Sequence, residues 1–257
     1  MKKISLLIAL FAMSLNAAQA KEWKEVRIGV EGFYPPFSNT EADGSVTGFD
    51  IDLIHTLCAE IGAKCTIVKQ DWDGIIPALL ARKYDAIIAT MDITAERKKK
   101  VAFTDKYMHI PARFAALKGT QFEATADFMT GKKVGVQRAT SMDTYISDNF
   151  PKAEIKRYGS ANEAYLDLKA GRLDYVLADA AAIIDGLLGK EGGDKFAFVG
   201  PQLTDAKWFG EGAGIAIRKQ DKDLVEKFNA AIAAVRADGR YKAIQDKYFN
   251  FDIYGAE

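Results

Sequence analysis

One stretch of this chain occurs twice. Leu79-Leu80-Ala81-Arg82-Lys83-Tyr84-Asp85-Ala86-Ile87-Ile88-Ala89 is echoed by Leu168-Lys169-Ala170-Gly171-Arg172-Leu173-Asp174-Tyr175-Val176-Leu177-Ala178. Each copy reads as a helix end, a basic turn, an Asp, three apolar residues and a small one. A second echo pairs Arg27-Ile28-Gly29-Val30 with Lys133-Val134-Gly135-Val136. Chance recurrence of a helix–turn–strand unit is the competing explanation for either echo alone. Read as a repeat, they predict two α/β lobes with the same opening strand and the same later strand.

The order of elements agrees with that division. Val26 to Val30 alternates as a strand, and the prolines of Glu31-Gly32-Phe33-Tyr34-Pro35-Pro36-Phe37 predict a loop outside helix and sheet. Phe49, Leu53, Ile54, Leu57, Cys58 and Ile61 recur at helical spacing. The strand Cys65 to Val68 follows, then Trp72-Asp73-Gly74 and a helix from Ile75 to Lys83. This βαβα order predicts, in each lobe, a mostly parallel sheet flanked by helices. The lobes are expected over residues 21–110 plus 210–257 and over residues 111–209. Two hinge crossings are expected, at Tyr107 to Phe114 and Thr204 to Gly214. Asp221 to Ala237 and Arg240 to Tyr248 read as closing helices.

The echo also places chemistry. Thr90 and Asp179 directly follow the two equivalent strands, at the sheet edge where open α/β proteins bind ligands. After the first of these strands comes Thr90-Met91-Asp92-Ile93-Thr94-Ala95-Glu96-Arg97, opening into a basic helical turn. Backbone N–H groups at such a helix start attract anions. Arg97, five residues past Asp92, can fold its guanidinium back toward that start, and its rigid fork suits a carboxylate. Asp92 offers a partner for a positive group, so the corner reads as a receptor for a zwitterion. In the second lobe, Gln137-Arg138-Ala139-Thr140-Ser141 leads into a helix whose start also attracts anions. A plain N-cap role for Thr140 or Ser141, contributing about 1 kcal/mol, is compatible with that.

Residues 1–20 read as a secretory signal. Lys2 and Lys3 precede an apolar run from Ile4 to Leu15, and Ala18-Gln19-Ala20 forms a small-x-small cleavage site. Without Lys2 and Lys3 the balance is 33 basic to 35 acidic residues, which argues against a nucleic-acid partner. The only cysteines are Cys58 and Cys65. In an oxidising compartment a bridge would staple helix to strand; two free buried thiols are the alternative. His55 and His109 lack ligand spacing to them, so no metal is expected.

Phe33-Tyr34-Pro35-Pro36-Phe37, Gly48-Phe49-Asp50-Ile51-Asp52-Leu53, Met91-Asp92-Ile93-Thr94 with Arg97, Gly171-Arg172-Leu173-Asp174 and Asp238-Gly239-Arg240-Tyr241 together resemble the periplasmic amino-acid-binding proteins of ABC importers. The resemblance spans Val26 to Tyr254 and is nearest to the lysine/arginine/ornithine-, histidine- and octopine-type branch of the family 3 solute-binding proteins. It implies the type II periplasmic-binding-protein fold, a Cys58–Cys65 disulfide, no cofactor, a periplasmic location, a membrane permease as partner and a monomer.

The resemblance also implies roles. Arg97 clamps the ligand α-carboxylate, aided by the Asp92 N–H, Ser141 and Thr140. Asp179 takes the α-ammonium with the Thr90 carbonyl and the Asp92 side chain, and Met91 belongs to the same corner. Tyr34 and Trp72 sandwich the ligand side chain, and Glu31 meets a distal cation. Two positions depart from the pattern: many relatives carry a hydroxyl residue where Asp92 stands, although arginine-type relatives include Asp, and relatives often carry Ser or Gly at Ala89. Asp50 reads as a helix N-cap outside the site. The expected ligand is a free basic amino acid, arginine before lysine or ornithine, with opines and histidine behind. The rival from another class is an exported dehydratase of cyclohexadienyl or arogenate type on the same fold, with Glu31, Asp92 or Asp179 as acid. No nucleophile–base pair supports it.

Overall fold

Both echoes fall on one structural unit in a computed structural model that describes residues 22–255. The expected signal segment lies outside the described residues. In the first half, β1 (Glu25–Val30) is followed by three short strands, β2 (Phe33–Tyr34), β3 (Ser38–Thr40) and β4 (Val46–Thr47). These three pair antiparallel in a small sheet of their own. This corrects the expectation of a loop without sheet: Pro35 and Pro36 occupy the turn between β2 and β3, where no ladder N–H is needed. Then come α1 (Phe49–Glu60), β5 (Lys64–Lys69), α2 (Ile75–Leu80), β6 (Ala86–Ile87), α3 (Ala95–Lys98) and β7 (Ala102–Met108). The helix α2 ends before the expected Lys83 because the chain turns at Arg82, whose φ is 61°.

The second half repeats the plan. β8 (Ala112–Leu117) leads to β9 (Lys133–Gln137), α4 (Ser141–Asn149), β10 (Glu154–Tyr158), α5 (Ala161–Lys169), β11 (Tyr175–Asp179), α6 (Ala180–Ile183), β12 (Phe196–Leu203) and α7 (Ala206–Phe209). The chain then returns through β13 (Ala213–Ile217) to α8 (Lys222–Ala237) and α9 (Arg240–Tyr248). The sheets have the orders β5-β1-β6-β13-β7 and β10-β9-β11-β8-β12. In each sheet four strands run the same way, and the fifth, β13 or β8, which brings the chain in from the other lobe, runs antiparallel to both its neighbours. The chain crosses between Met108 and Ala112 and again between Leu203 and Ala213.

The register shows why the echo exists. Ile28 and Gly29 sit beside Ala86 and Ile87, and Val134 and Gly135 sit beside Tyr175 and Val176. In both lobes the Asp preceding the later strand closes the pair. Asp85 accepts from Arg27 N–H at 3.1 Å and Asp174 from Lys133 N–H at 2.7 Å. The two glycines are required at the same place. A Cβ at Gly29 would meet the Tyr84 ring at 2.5 Å, and one at Gly135 would meet Leu173 Cδ1 at 2.5 Å.

Each lobe has its own core. Val26, Ile28, Leu53, Leu57, Ile215 and Phe228 anchor the first, and Phe114, Val134, Val136, Ile146, Tyr175 and Phe209 lie in the second. Cys58 and Cys65 form a disulfide between α1 and β5. No helix among the described residues is long and apolar enough to cross a membrane.

Candidate functional site

The strand ends of both lobes meet. From the first lobe, the residue after β1 is Glu31, only 5% exposed. Tyr34 extends from β2, and Trp72 begins a 3₁₀ turn ahead of α2. After β6 the chain turns sharply at Thr90 and reaches Asp92. The Thr94 hydroxyl caps α3 by accepting from the Arg97 N–H at 3.3 Å. That cap fixes the start of the turn, and Arg97 folds back to donate through Nη1 to the Asp92 carbonyl at 3.0 Å. Its guanidinium carbon lies 5.2 Å from the Trp72 ring centre.

From the second lobe, Gln137 closes β9, and Thr140 caps α4 by accepting from Asp143 N–H at 3.1 Å. This is the plain capping role, and it leaves Ser141 as the first helical residue. Asp179 is the last residue of β11 and the N-cap position of α6.

Hydrogen bonds join the lobes across this gap. Tyr34 donates to Asp179 Oδ2 at 2.7 Å, and Gln137 Nε2 donates to Glu31 Oε1 at 2.6 Å. Trp72 Nε1 donates to the Ala139 carbonyl at 3.2 Å, and Ser141 donates to the Asp92 carboxylate. Nearby, Arg138 pairs with Asp73 on a partly exposed rim. The lobes are therefore closed on one another. Between them lies a small cavity, lined by Glu31, Tyr34, Trp72, Thr90, Asp92, Arg97, Thr140, Ser141 and Asp179, with Ala89, Gln137 and Met142 completing the wall.

The cavity is strongly acidic. Three carboxylates, from Glu31, Asp92 and Asp179, face one guanidinium, from Arg97. Burial pushes Glu31 up to about 7, against the Gln137 hydrogen bond that favours its ionised form. Burial also raises Asp179, and the neighbouring Asp92 charge raises it further. Asp92 is raised by burial, with Arg97 and Ser141 opposing. Carboxylates held this way bind a proton readily when alone and favour a cation as partner. The pattern suits a solute carrying one negative and two positive groups.

Met91 does not line this cavity. Its side chain is buried against Trp72, Ile75 and Leu79, its carbonyl accepts from the Gly214 N–H at 3.0 Å, and it borders an adjoining, more open groove. Gln137 and Met142 are wall residues that sequence reasoning missed. For Gln137 the signal was available, since extending the second echo by one residue pairs Glu31 with Gln137. Asp50 is not the N-cap of α1; Gly48 holds that position, and the Asp50 side chain is buried behind Thr90. Among the described residues no cluster of His, Cys, Asp and Glu could hold a metal ion.

Comparison with known proteins agrees with this architecture. The chain is 51% identical to an L-arginine-binding protein of Pseudomonas aeruginosa, covering 100% of both sequences. It is 39% identical to the lysine/arginine/ornithine-binding periplasmic protein of Escherichia coli K12, over 98% of this chain and 97% of the relative. Among solved structures, a Salmonella typhimurium periplasmic binding protein described for high arginine specificity superposes with a TM-score of 0.81 at 33% identity. That match covers 88% of this chain and 100% of the other. The model of the bacterial extracellular solute-binding proteins, family 3, matches residues 26–251. By its two-lobe α/β fold, its closed interlobe cavity and these matches, the chain belongs to family 3 of the bacterial extracellular solute-binding proteins.

Proposed function

We propose that this chain is the periplasmic receptor of an ABC importer for basic amino acids, with arginine preferred over lysine and ornithine. The observation that carries the reading is the charge pattern of the closed cavity, with three carboxylates and one guanidinium contributed from the strand ends of both lobes. Arg97 holds the ligand carboxylate, with the Asp92 N–H, Thr140 and Ser141. Asp179 and the Thr90 carbonyl hold the α-ammonium. The side chain runs between Tyr34 and Trp72 toward Glu31, where a guanidinium or ammonium replaces Gln137 as a partner of the carboxylate. Cation–π contact with the two rings adds to that preference. The names of the relatives support arginine first.

Function follows from closure. The lobes, residues 21–110 plus 210–257 and residues 111–209, hinge at the two crossings. Bonds to both lobes exist only in the closed form, so a ligand that makes them shifts the population toward closure. The closed receptor then delivers its ligand to the membrane permease. Residues 1–20 serve as the export signal, and the receptor acts as a monomer without cofactor. The dehydratase alternative has less support, because the relatives reported above are named as binding proteins.

Calorimetric titration of ligand-stripped protein with arginine, lysine, ornithine, histidine and glutamine tests the reading. Saturable binding led by arginine is expected, with no turnover of prephenate or arogenate. A clear preference for glutamine, or turnover of either acid, would overturn it.

A further inference from the structure

Asp50 is a carboxylic acid with no solvent exposure, set among Phe37, Phe49, Ile54 and Tyr107 in the core of the first lobe. Capping does not explain it, since the N-cap of α1 is Gly48. Packing does not explain it either, because an apolar residue of similar size would avoid the desolvation that a buried carboxyl suffers. Its Oδ2 accepts from the Thr90 hydroxyl at 3.0 Å, while Oδ1 is buried without a partner. The Tyr107 hydroxyl accepts from the Thr90 N–H at 2.9 Å, and the Asp50 carboxyl acts electrostatically on that hydroxyl. The Thr90 hydroxyl is thus held by the acid and its N–H by the neighbouring phenol.

Thr90 needs such restraint. Its φ is 51°, in the left-handed region that a β-branched residue adopts only when its surroundings force it. It lines the cavity, and with its N–H and hydroxyl turned inward its carbonyl is the remaining polar group. We propose that Asp50 is a positioning residue for the ligand α-ammonium: through the Thr90 hydroxyl, with Tyr107 taking the Thr90 N–H, it holds Thr90 in the left-handed conformation, aiming the Thr90 carbonyl into the cavity beside Asp179. This rests on the receptor reading above. Burial pushes Asp50 up to about 7, and its carboxyl also raises Asp179, so the ammonium subsite has a second acidic group behind it as well as the one beside it.

The test compares Asp50→Leu with the unmodified protein on two ligands, arginine and 5-guanidinopentanoate, which is arginine without its α-amino group. Leu keeps a similar size but offers the Thr90 hydroxyl no acceptor. Binding is read by thermal shift up to millimolar ligand, alongside the unfolding midpoint of each ligand-free protein. Arginine binding should weaken about tenfold or more, while the desamino analogue should bind both proteins equally. Thr90→Val should weaken arginine binding too, and the double variant should lose little beyond the worse single variant, because both act on one group. Equal weakening of both ligands, no weakening of arginine, or additive losses in the double variant would each overturn the proposal. Failure of the unmodified protein to bind arginine would overturn the receptor reading and this role together.

Discussion

Glu31→Gln removes the charge proposed to meet the distal cation and leaves the cavity wall nearly unchanged. Glu31 is 5% exposed and accepts from Gln137 Nε2 at 2.6 Å. A glutamine at that place still offers a carbonyl to Gln137, so the bond between the lobes survives. The ligand loses a charge-assisted hydrogen bond in a buried site, a contribution of roughly 1.5–3 kcal/mol. Its guanidinium then stays buried without a counter-ion, which raises the upper bound to about 5 kcal/mol. At about 1.4 kcal/mol per decade, the lower range alone weakens arginine binding by roughly 10- to 150-fold. Glutamine, whose side chain is neutral, makes no ion pair with Glu31, so its affinity should change only a few-fold. Calorimetry at pH 8.5, where Glu31 is ionised, reads both. Arginine affinity unchanged within about threefold, or glutamine weakened as much as arginine, would refute the assignment of Glu31 to the distal cation.

Three further outcomes are expected. Because burial raises Glu31 to about 7 in the closed cavity, binding a cation there favours the deprotonated form. Arginine binding should therefore release protons near pH 6 and weaken as pH falls below 7, at most tenfold per unit from this group; proton uptake at pH 6 in buffers of different ionisation heat would contradict this. Arg138→Ala removes the Arg138–Asp73 pair on the rim, whose side chains are 47% and 40% exposed, so ligand release should quicken only a few-fold and the difference should shrink in high salt. An unchanged release rate by stopped flow would exclude the pair from closure. Replacing both Cys58 and Cys65 by Ala opens a short loop with a sequence separation of 7, which should cost about 2–3 kcal/mol of stability in denaturant titrations while leaving arginine affinity in place.

Much of the fold was legible because the lobes repeat at the level of single residues. Asp85 and Asp174, and Gly29 and Gly135, recur because each performs the same closure of a parallel strand pair. The corner from Asp92 to Arg97 was legible for a different reason. Both residues lie on one short cap-and-turn, so sequence spacing approximates spatial distance. The echo marks Gln137 as the counterpart of Glu31 at a strand end, but neither its contact with Glu31 nor the inward turn of Asp50 was legible. The partners, Glu31 and Thr90, are remote in sequence, and nothing local says that an amide will face an acid across a cleft or that a first-turn Asp will point inward. The small sheet of β2, β3 and β4 escaped for a third reason: its strands are two or three residues long, too short for alternation to register against the prolines beside them.

The central claim is that the cavity between the lobes is built for a free amino acid with a cationic side chain. The most direct test is the thermal unfolding midpoint of ligand-stripped protein against a panel of amino acids at fixed millimolar concentration. A ligand that binds only the folded form stabilises it by mass action, by about 4 kcal/mol at a thousandfold excess over Kd. For a chain of this size that is a rise of roughly 8–16 °C. Arginine should give the largest shift, with lysine and ornithine next and glutamate and glutamine near zero. A shift led by glutamine or glutamate, or none with any basic amino acid, would contradict the account.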